Sequence, residues 1–318
     1  MNSPLEYTAA QWKKLQELRQ TFLAESDVRG QDYWSSAELL TLYDETFAQR
    51  IGWKWAEVLN EVGPLLSPPN AVVDYGCGTG IAVRQWLRKF PASSAPIYLL
   101  DRSAKAMEFA RAKLLEINPA AVVHLIKNNA DIPDGSLLLA SHVANELNSE
   151  LTQRFQAELT RSASLIWVEP GTKALAKKIG ETREALSSTF RWLAPCPHQS
   201  ACGMLAPANE SHWCHHFAKP PREIFGNGFW KKFSDHLKID LRALPLSYLV
   251  GTRTTASPAD KTRVIGRARV YKGYAKALVC DASGVNEQRI LSRHFSATVE
   301  RLEEGRFAEH LDPKEWGR

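Results

Sequence analysis

The N-terminal part of the chain places its hydrophobic residues at helical spacing. Residues 8–25 carry large apolar side chains three or four positions apart, which predicts an amphipathic helix. A second helical pattern covers residues 36–62, with an expected break near Gly52. The turn-rich run at 66–70 then ends this part, so we predict a helical segment over residues 1–70.

The period of the pattern changes after residue 70. Short apolar runs typical of buried strands now alternate with helical stretches. The predicted strands are residues 71–76, 97–101, 122–127, 136–143 and 164–170. Strands that alternate with helices form a parallel sheet covered by helices on both faces. We therefore predict an α/β domain of the Rossmann type over residues 71–192.

The C-terminal part departs from this alternation. Residues 193–225 are rich in Pro, Cys and His and show no periodicity, which predicts an irregular insertion. A strand returns at 246–253, antiparallel strands with glycine turns are expected over 263–284, and a charged helix over 296–318. We predict that residues 226–318 complete the sheet and add a β-rich extension.

Composition and charge narrow the classes of protein. The 318 residues are 44% hydrophobic and 24% charged, as in a globular chain. No run reaches the roughly 20 apolar residues that span a bilayer, and the first residues lack the apolar core of a secretory signal. We therefore expect no membrane association and a cytoplasmic location in a bacterium, or the mitochondrial matrix if the source is eukaryotic. Residues 151–318 hold 26 basic and 17 acidic residues, which favours either a polyanionic partner or a solvated basic face.

The strongest local motif is the run Asp-Tyr-Gly-Cys-Gly-Thr-Gly at residues 74–80, which follows a predicted strand and opens a helix. Its glycines allow a sharp turn and the close approach of a ligand to the backbone. Asp101 ends the next strand, where a carboxylate can accept hydrogen bonds from both hydroxyls of a ribose. The Gly-x-Gly-x-Gly spacing is not the dinucleotide-binding pattern.

This motif resembles motif I of the class I S-adenosylmethionine (SAM)-dependent methyltransferases. By that resemblance, the loop passes under the methionine and ribose of SAM, Asp74 orders the loop near the amino group, and Asp101 holds the ribose. Asn129 or Asp131, after the third strand, would face the adenine. The implied cofactor-binding residues are Asp74, Gly76, Cys77, Gly78, Gly80, Asp101, Asn129 and Asp131. The alternative is a loop of the same fold that has lost its ligand.

The segment after the fourth predicted strand is the place for catalytic residues. Methyl transfer depends mainly on aligning a nucleophile, and such enzymes place substrate groups at this position. His142, Asn145 and Glu146 are the candidates here. The segment lacks the Asn-Pro-Pro-aromatic motif of amino-group methyltransferases of bases, and a helix-capping or packing role is the alternative.

Four cysteines form a candidate metal site. Cys196, Cys202 and Cys214 lie within 19 residues, and Cys280 follows on a predicted strand. Four thiolates suit tetrahedral zinc or an iron–sulfur cluster, and nearby histidines at 198, 215 and 216 offer a mixed zinc site. Four packed, reduced thiols are the alternative.

The cysteine region carries a more specific resemblance. Residues 194–198 (Ala-Pro-Cys-Pro-His), Cys202, residues 213–215 (Trp-Cys-His) and residues 278–281 (Leu-Val-Cys-Asp) resemble the ribosomal small-subunit assembly methyltransferase-like family. The resemblance spans about residues 35–295. It implies a SAM-type Rossmann fold, a [4Fe-4S] cluster on the four cysteines, and action on the small ribosomal subunit. The chain departs from the family pattern at Gly203, where the family often has Pro, and in a longer gap before the third cysteine.

The basic C-terminal strands are the candidate RNA surface. Cations contact phosphates and aromatic side chains stack on bases in RNA-binding sheets. Alternation along the strand would place Arg267, Arg269 and Tyr271 on one face. The candidate RNA-binding residues are Arg253, Arg263, Arg267, Arg269, Lys272 and Lys276. A charged face that only keeps the strands soluble is the alternative.

Two functions remain open at this point. One is a SAM-binding rRNA methyltransferase with an iron–sulfur cluster that acts on the small subunit during ribosome assembly. The other is a non-catalytic RNA-binding assembly factor with a structural cluster or zinc and a vestigial or regulatory SAM pocket. Both predict a monomer whose partner is the small ribosomal subunit and its rRNA.

Overall fold

The computed structural model describes residues 6–23, 34, 36–146, 149–254, 261–305, 307, 310–312, 314 and 316. The described α-helices are α1 (Ala9–Leu23), α2 (Ala37–Tyr43), α3 (Gln49–Val62), α4 (Ile81–Lys89), α5 (Ala104–Ile117), α6 (Ser149–Arg161), α7 (Lys173–Ala185), α8 (Gly228–Leu237) and α9 (Ser292–Glu304). The described strands are β1 (Val72–Tyr75), β2 (Ile97–Leu100), β3 (Val123–Ile126), β4 (Leu137–Ser141), β5 (Ser164–Pro170), β6 (Arg191–Ala194), β7 (His216–Ala218), β8 (Leu244–Thr252), β9 (Thr262–Tyr271), β10 (Tyr274–Asp281), β11 (Gly284–Leu291) and β12 (His310–Leu311). Within this part of the chain, no helix is long and apolar enough to cross a membrane.

The main sheet has the strand order β3-β2-β1-β4-β5-β8-β6, with β7 paired to β8. Strands β1 to β5 are parallel, and β8 is antiparallel to β5, β6 and β7. Because β1, β2, β4 and β5 are covered on both faces, they are near-continuous apolar runs, whereas the edge strand β3 is only partly buried. The predicted α/β fold of the class I methyltransferase type is confirmed.

Two hydrophobic cores cover the faces of this sheet. One face packs against α3, α4, α5 and α8 through residues such as Val58, Val83 and Phe233. The other face packs against α6 and α7, through Phe155 and Ile179 for example. The carboxyl ends of the parallel strands are left open between these layers, and ligands of α/β sheets bind at such an edge.

The N-terminal helices dock against α4. A single π-helical turn, Asp44–Ala48, joins α2 to α3, and Asp44 forms a buried ion pair with Arg84 of α4. The expected break at Gly52 does not occur. A Cβ there would lie 2.9 Å from Nε2 of Gln85 and 3.0 Å from Cδ1 of Ile81, so glycine allows α3 and α4 to pack closely.

The C-terminal strands form a second, antiparallel sheet in the order β11-β10-β9-β12. Helix α9 covers one face of it through Val299 and Leu302, against Val264 and Ile290. The predicted antiparallel extension is therefore present. The charged helix expected at 296–318 is shorter and earlier, because α9 ends at Glu304 and the chain then contributes β12.

Candidate functional site

The glycine loop lies where β1 ends and α4 begins. The backbone N–H groups of Gly76 and Cys77 donate to the Leu100 carbonyl of β2, at 2.8 and 3.1 Å, which fixes the loop over the sheet edge. At Gly76, φ is +67° and a Cβ would lie 2.5 Å from Cγ1 of Val143, so no side chain fits. At Gly78, φ is +50° and a Cβ would meet no described atom within 4 Å. The loop therefore exposes its backbone to open space at Gly78.

Asp101 is oriented by this loop. Its Oδ2 accepts a hydrogen bond from the Gly78 N–H at 2.9 Å, and its Oδ1 accepts one from the Ser103 N–H at 2.9 Å. Each carboxylate oxygen can accept more than one hydrogen bond, so capacity for further donors is left. The carboxylate thus stands at the end of β2 in a fixed orientation.

Asp74 lies inside β1 and is fully buried. Its Oδ2 accepts from the Val83 N–H of α4 at 3.3 Å, and its Oδ1 has no hydrogen-bond partner among the described residues. Burial, together with the charge of Asp101, raises the pKa of Asp74 to about 8. Asp74 therefore carries a proton near neutral pH and links the strand to the start of α4.

A cavity of about 410 Å³ opens above the glycine loop. Its walls include Asp101, the segment after β4, and residues of the N-terminal helices such as Phe22 and Phe47. The structure brings together on this cavity seven of the predicted residues: Gly76, Cys77, Gly78, Asp101, His142, Asn145 and Glu146. The lining does not include Asp74, Gly80, Asn129 or Asp131. Asn129 and Asp131 lie in a 3₁₀ turn after β3, and their contact with an adenine stays a prediction.

The segment after β4 holds the candidate catalytic residues. His142 has a left-handed backbone (φ 56°), and its Nε2 atom is buried without a hydrogen-bond partner in the described part of the chain. Burial and the nearby cations Lys54 and Arg50 hold the pKa of His142 well below its usual range, so the imidazole is neutral. Glu146 forms an ion pair with Arg102 of the same cavity, and Asn145 is exposed.

Three further cavity residues were missed by the sequence analysis. Arg50 and Lys54 lie one turn apart on α3, and Glu169 lies near the end of β5. Oε1 of Glu169 accepts from the N–H groups of Val143 and Ala144, both at 3.0 Å, and burial raises the pKa of Glu169 to about 7. Burial, followed by the charge of Arg50, lowers the pKa of Lys54 to about 7. The available signal was the pair of cations at helical spacing within a tryptophan-rich, apolar run.

The four predicted cysteine ligands lie around one small cavity of about 30 Å³. Cys196, Cys202 and Cys214 come from the segment between β6 and β7, and Cys280 comes from β10. All are free thiols. Burial, followed by the neighbouring thiols, raises the pKa of Cys280 to about 12 and also raises that of Cys214 well above its usual range. The four cysteines therefore line one cavity, and their role as metal ligands stays a prediction.

The surroundings of the thiols are less simple. Nε2 of His198 lies 3.4 Å from the Cys280 sulfur, and Nε2 of His216 lies 3.9 Å from the Cys214 sulfur. His215 instead packs its ring on Trp213. Among the described residues, no three His, Cys, Asp or Glu side chains are placed as the ligands of a metal ion.

The basic residues of the C-terminal strands divide into two sets. Arg267, Arg269, Lys272 and Lys276 belong to the second sheet, and the first three are exposed, with Tyr271 beside them. Tyr271 and Tyr274 stack with ring centroids 4.8 Å apart. Arg269 and Lys276 both pair with Glu287, and Arg267 lies over the ring of Phe217 at 4.4 Å. These residues form what we call the basic face.

Arg263 and Arg253 lie elsewhere. Arg263 is 2% exposed, forms an ion pair with Glu61 of α3, and its Nη1 donates to the Tyr248 hydroxyl at 3.5 Å. Its guanidinium therefore does not face solvent, which differs from the prediction. Arg253 follows β8 of the main sheet, packs over Phe190 and donates to a backbone carbonyl of α6.

Two features define the class of this protein. The main sheet has antiparallel β8 between β5 and β6, and the glycine loop after β1 lies beside an acid that follows β2. The chain is thus a mixed α/β protein that resembles the class I SAM-dependent methyltransferases. Within this class, the chain belongs to the Rsm22 family. The family model, described as mitochondrial small ribosomal subunit Rsm22, matches residues 58–317. The predicted family resemblance is thereby confirmed.

Comparison with solved structures finds distant similarity. PH1948 from Pyrococcus horikoshii, a proposed RNA methyltransferase, is 10% identical over 77% of this chain and 98% of its own, with a TM-score of 0.38. The mitomycin 7-O-methyltransferase MmcR is 14% identical over 78% and 69%, with a TM-score of 0.42. The plantazolicin methyltransferase BamL, solved with SAH, is 10% identical over 77% and 97%, with a TM-score of 0.41. No curated protein matches the chain.

Proposed function

We propose that this protein binds SAM in the cavity above the glycine loop and methylates rRNA of the small ribosomal subunit during ribosome assembly. The observation that carries the proposal is the cavity of about 410 Å³ in which Gly78 exposes its backbone beside the oriented carboxylate of Asp101. Its volume is within the range of small-molecule sites. Membership of the Rsm22 family supports the small subunit as the partner.

The residues of the cavity fit this cofactor. Asp101 would accept hydrogen bonds from the ribose hydroxyls, and the backbone of Gly76 to Gly78 would lie against the methionine part. Protonated Asp74 keeps the loop joined to α4 without adding a negative charge. When bound, the sulfonium supplies the methyl group. The imidazole of His142 is neutral and can take part in a hydrogen bond with a substrate group, whereas its lowered pKa makes it a weak proton acceptor.

The basic face is the proposed RNA contact. Arg267, Arg269 and Lys272 are exposed next to the stacked pair of Tyr271 and Tyr274, so that phosphate and base contacts are available on one surface. We leave Arg263 out of the RNA-contacting set because it is buried and paired with Glu61.

We also propose that the four cysteines hold a [4Fe-4S] cluster. Four half-buried thiols around one cavity supply the soft donors that a cluster uses. Zinc held by the same thiolates is the alternative, and metal analysis separates the two. Ligation would join the segment 193–225 to β10, so that the cluster fastens the second sheet to the Rossmann-type domain.

We further propose that the boundaries 1–70, 71–192, 193–225 and 226–318 mark the four parts of the chain.

Transfer of label from SAM to immature small subunits tests the enzymatic function. The wild-type protein is expected to label rRNA, and Asp101→Ala to lose the label. Asp235→Asn, an exposed acid on α8, serves as the control that keeps it. Tight binding of SAM and of subunits without transfer of label would instead support the non-catalytic assembly factor. The ion pair of Glu146 with Arg102 is compatible with this second function.

Anaerobic purification with iron, sulfide and zinc analysis tests the cluster. About four irons and four sulfides per chain are expected, with a brown colour. Cys280→Ser is expected to lose most of the iron, whereas Cys77→Ser keeps it because Cys77 lies in the glycine loop. A colourless protein with one zinc per chain would refute the cluster.

A further inference from the structure

The methyl-donor cavity contains cations that the proposed cofactor does not explain. Arg19, Arg50 and Lys54 all line it. Lys54 is 7% exposed, and the buried Nε of Arg50 has no hydrogen-bond partner among the described residues. Burying cations without counter-charges is costly, so such an arrangement is expected where an anion binds.

The three cations repel one another. The charge of Arg19 adds to burial in lowering the pKa of Arg50 to about 10, and Arg50 adds to burial in lowering that of Lys54. Glu169 is the acid that acts on Lys54, but the two form no ion pair among the described residues. Oε1 of Glu169 accepts from two backbone N–H groups and the Trp167 indole, whereas its Oε2 has no hydrogen-bond partner in the described part of the chain. The described residues therefore leave this cation group undercompensated.

The position of these cations separates them from the ribose site. Asp101 follows β2, whereas Glu169, beside Lys54, ends β5. Strands β2 and β5 are three places apart in the sheet, which corresponds to about 14 Å at the usual strand spacing. Bound SAM also carries a sulfonium, an ammonium and one carboxylate, so its net charge is positive. It would add to the excess of positive charge and not balance it.

We propose that Arg50 and Lys54 form a phosphate site at the β5 end of the cavity, which receives a backbone phosphate of the nucleic-acid substrate. The inference rests on the proposed function and adds to it a site for the substrate. Arg50 presents a guanidinium fork suited to phosphate oxygens, and Lys54 presents a buried amine that gains a proton as the phosphate binds. Arg19 is only partly buried and lines the same cavity, so it is available to a neighbouring phosphate of the same nucleic acid.

Calorimetric titration with uridine 5′-monophosphate, with uridine as the phosphate-free reference, tests the site in the full-length protein. We expect the monophosphate to bind in the presence of saturating S-adenosylhomocysteine and uridine to bind at least tenfold more weakly. Arg50→Gln and Lys54→Gln should each weaken the monophosphate at least tenfold. Lys89→Gln, an exposed cation of α4 that donates to Asn60, should change it less than twofold.

Stability and cofactor binding distinguish the alternatives. The thermal midpoints of Arg50→Gln and Lys54→Gln should not fall, because each removes an undercompensated charge. Lys54→Met preserves the length of the buried stem if glutamine is not tolerated. The proposal is overturned if the wild-type protein does not bind the monophosphate at millimolar concentrations. It is also overturned if the variants bind the monophosphate as tightly as the wild type does.

A different result would reassign the site to the cofactor. If the variants lose affinity for S-adenosylhomocysteine tenfold but keep their affinity for 5′-methylthioadenosine, which lacks the amino-acid part, the cations hold the cofactor carboxylate and the phosphate site is wrong. The monophosphate titration is repeated without S-adenosylhomocysteine, so that the phosphate site is tested even if the wild-type protein binds no cofactor. Failure to bind the cofactor would refute the proposed function but not the phosphate site.

Discussion

The buried pair of Arg263 and Glu61 allows a quantitative test of how the second sheet is held. Arg263 lies on β9, beside Cys280 of β10, and is 2% exposed, whereas Glu61 lies at the end of α3 with its side chain 16% exposed. The Tyr248 hydroxyl donates to the second oxygen of the same carboxylate. Removing one member of a buried pair leaves a charge without compensation, which costs about 3–5 kcal/mol. We therefore expect Glu61→Ala to lower the free energy of unfolding by about that amount.

A double-mutant cycle isolates the pair. Urea unfolding would be followed by tryptophan fluorescence and circular dichroism for Glu61→Gln, Arg263→Met and the double variant, with free energies taken where the two transitions coincide. We expect the double variant to be more stable than the sum of the single effects predicts, by about 2 kcal/mol or more. Additivity within about 0.5 kcal/mol would show that the two side chains do not stabilise each other and would refute the reasoning.

Four further outcomes follow from the sites. The pKa of Asp74 is about 8 in the folded protein, above its ordinary value of 3.8, so the carboxyl stabilises the fold less as the pH rises between these two values. Asp74→Asn should therefore be more stable than the wild type by about 4 kcal/mol at pH 7. In thermal melts, this difference should vanish near pH 4. Equal pH profiles would contradict the buried protonated acid. Asp101→Ala should weaken S-adenosylhomocysteine at least tenfold by calorimetry, and unchanged affinity would remove Asp101 from the ribose site. Cys280→Ser should make the segment 193–225 cleavable by trypsin or chymotrypsin, and intact resistance would argue against a ligand role. Arg267→Gln should reduce the salt dependence of RNA binding by about one unit of slope, which an unchanged slope would contradict, while Arg111→Gln on α5 should not alter it.

Much of the central fold could be predicted from local pattern alone. Strand β5 has the predicted bounds of residues 164–170, because a strand covered on both faces is a continuous apolar run. The glycine loop and Asp101 could also be found, since a strand, a glycine turn and an acid at the end of the next strand are near one another in the chain. The tight fit of Gly76 against Val143 gives the physical reason for that pattern.

The remainder depends on contacts between distant parts of the chain. Arg50 and Lys54 look like the polar side of an amphipathic helix, and only the three-dimensional fold brings them to the cavity that His142 and Glu169 also line. Arg263 alternates with other cations in the sequence and was therefore expected on the exposed face. It is buried because Glu61, about 200 residues earlier, supplies its counter-charge. Strand β7 has only three residues and lies in the Pro-, Cys- and His-rich segment, so periodicity does not reveal it.

The position of β8 has a consequence for the order in which the molecule matures. β6 pairs with β8 and not with β5, so β6 can join the main sheet only after residue 252 has left the ribosome. The Gly78 loop and its acid need only the chain up to about residue 141. During synthesis from the N-terminus, the glycine loop can thus take shape early, while the cavity lined by the four cysteines closes only after Cys280 has been translated. A closed cysteine cavity therefore requires that the chain has been made and folded through β10 and the start of β11.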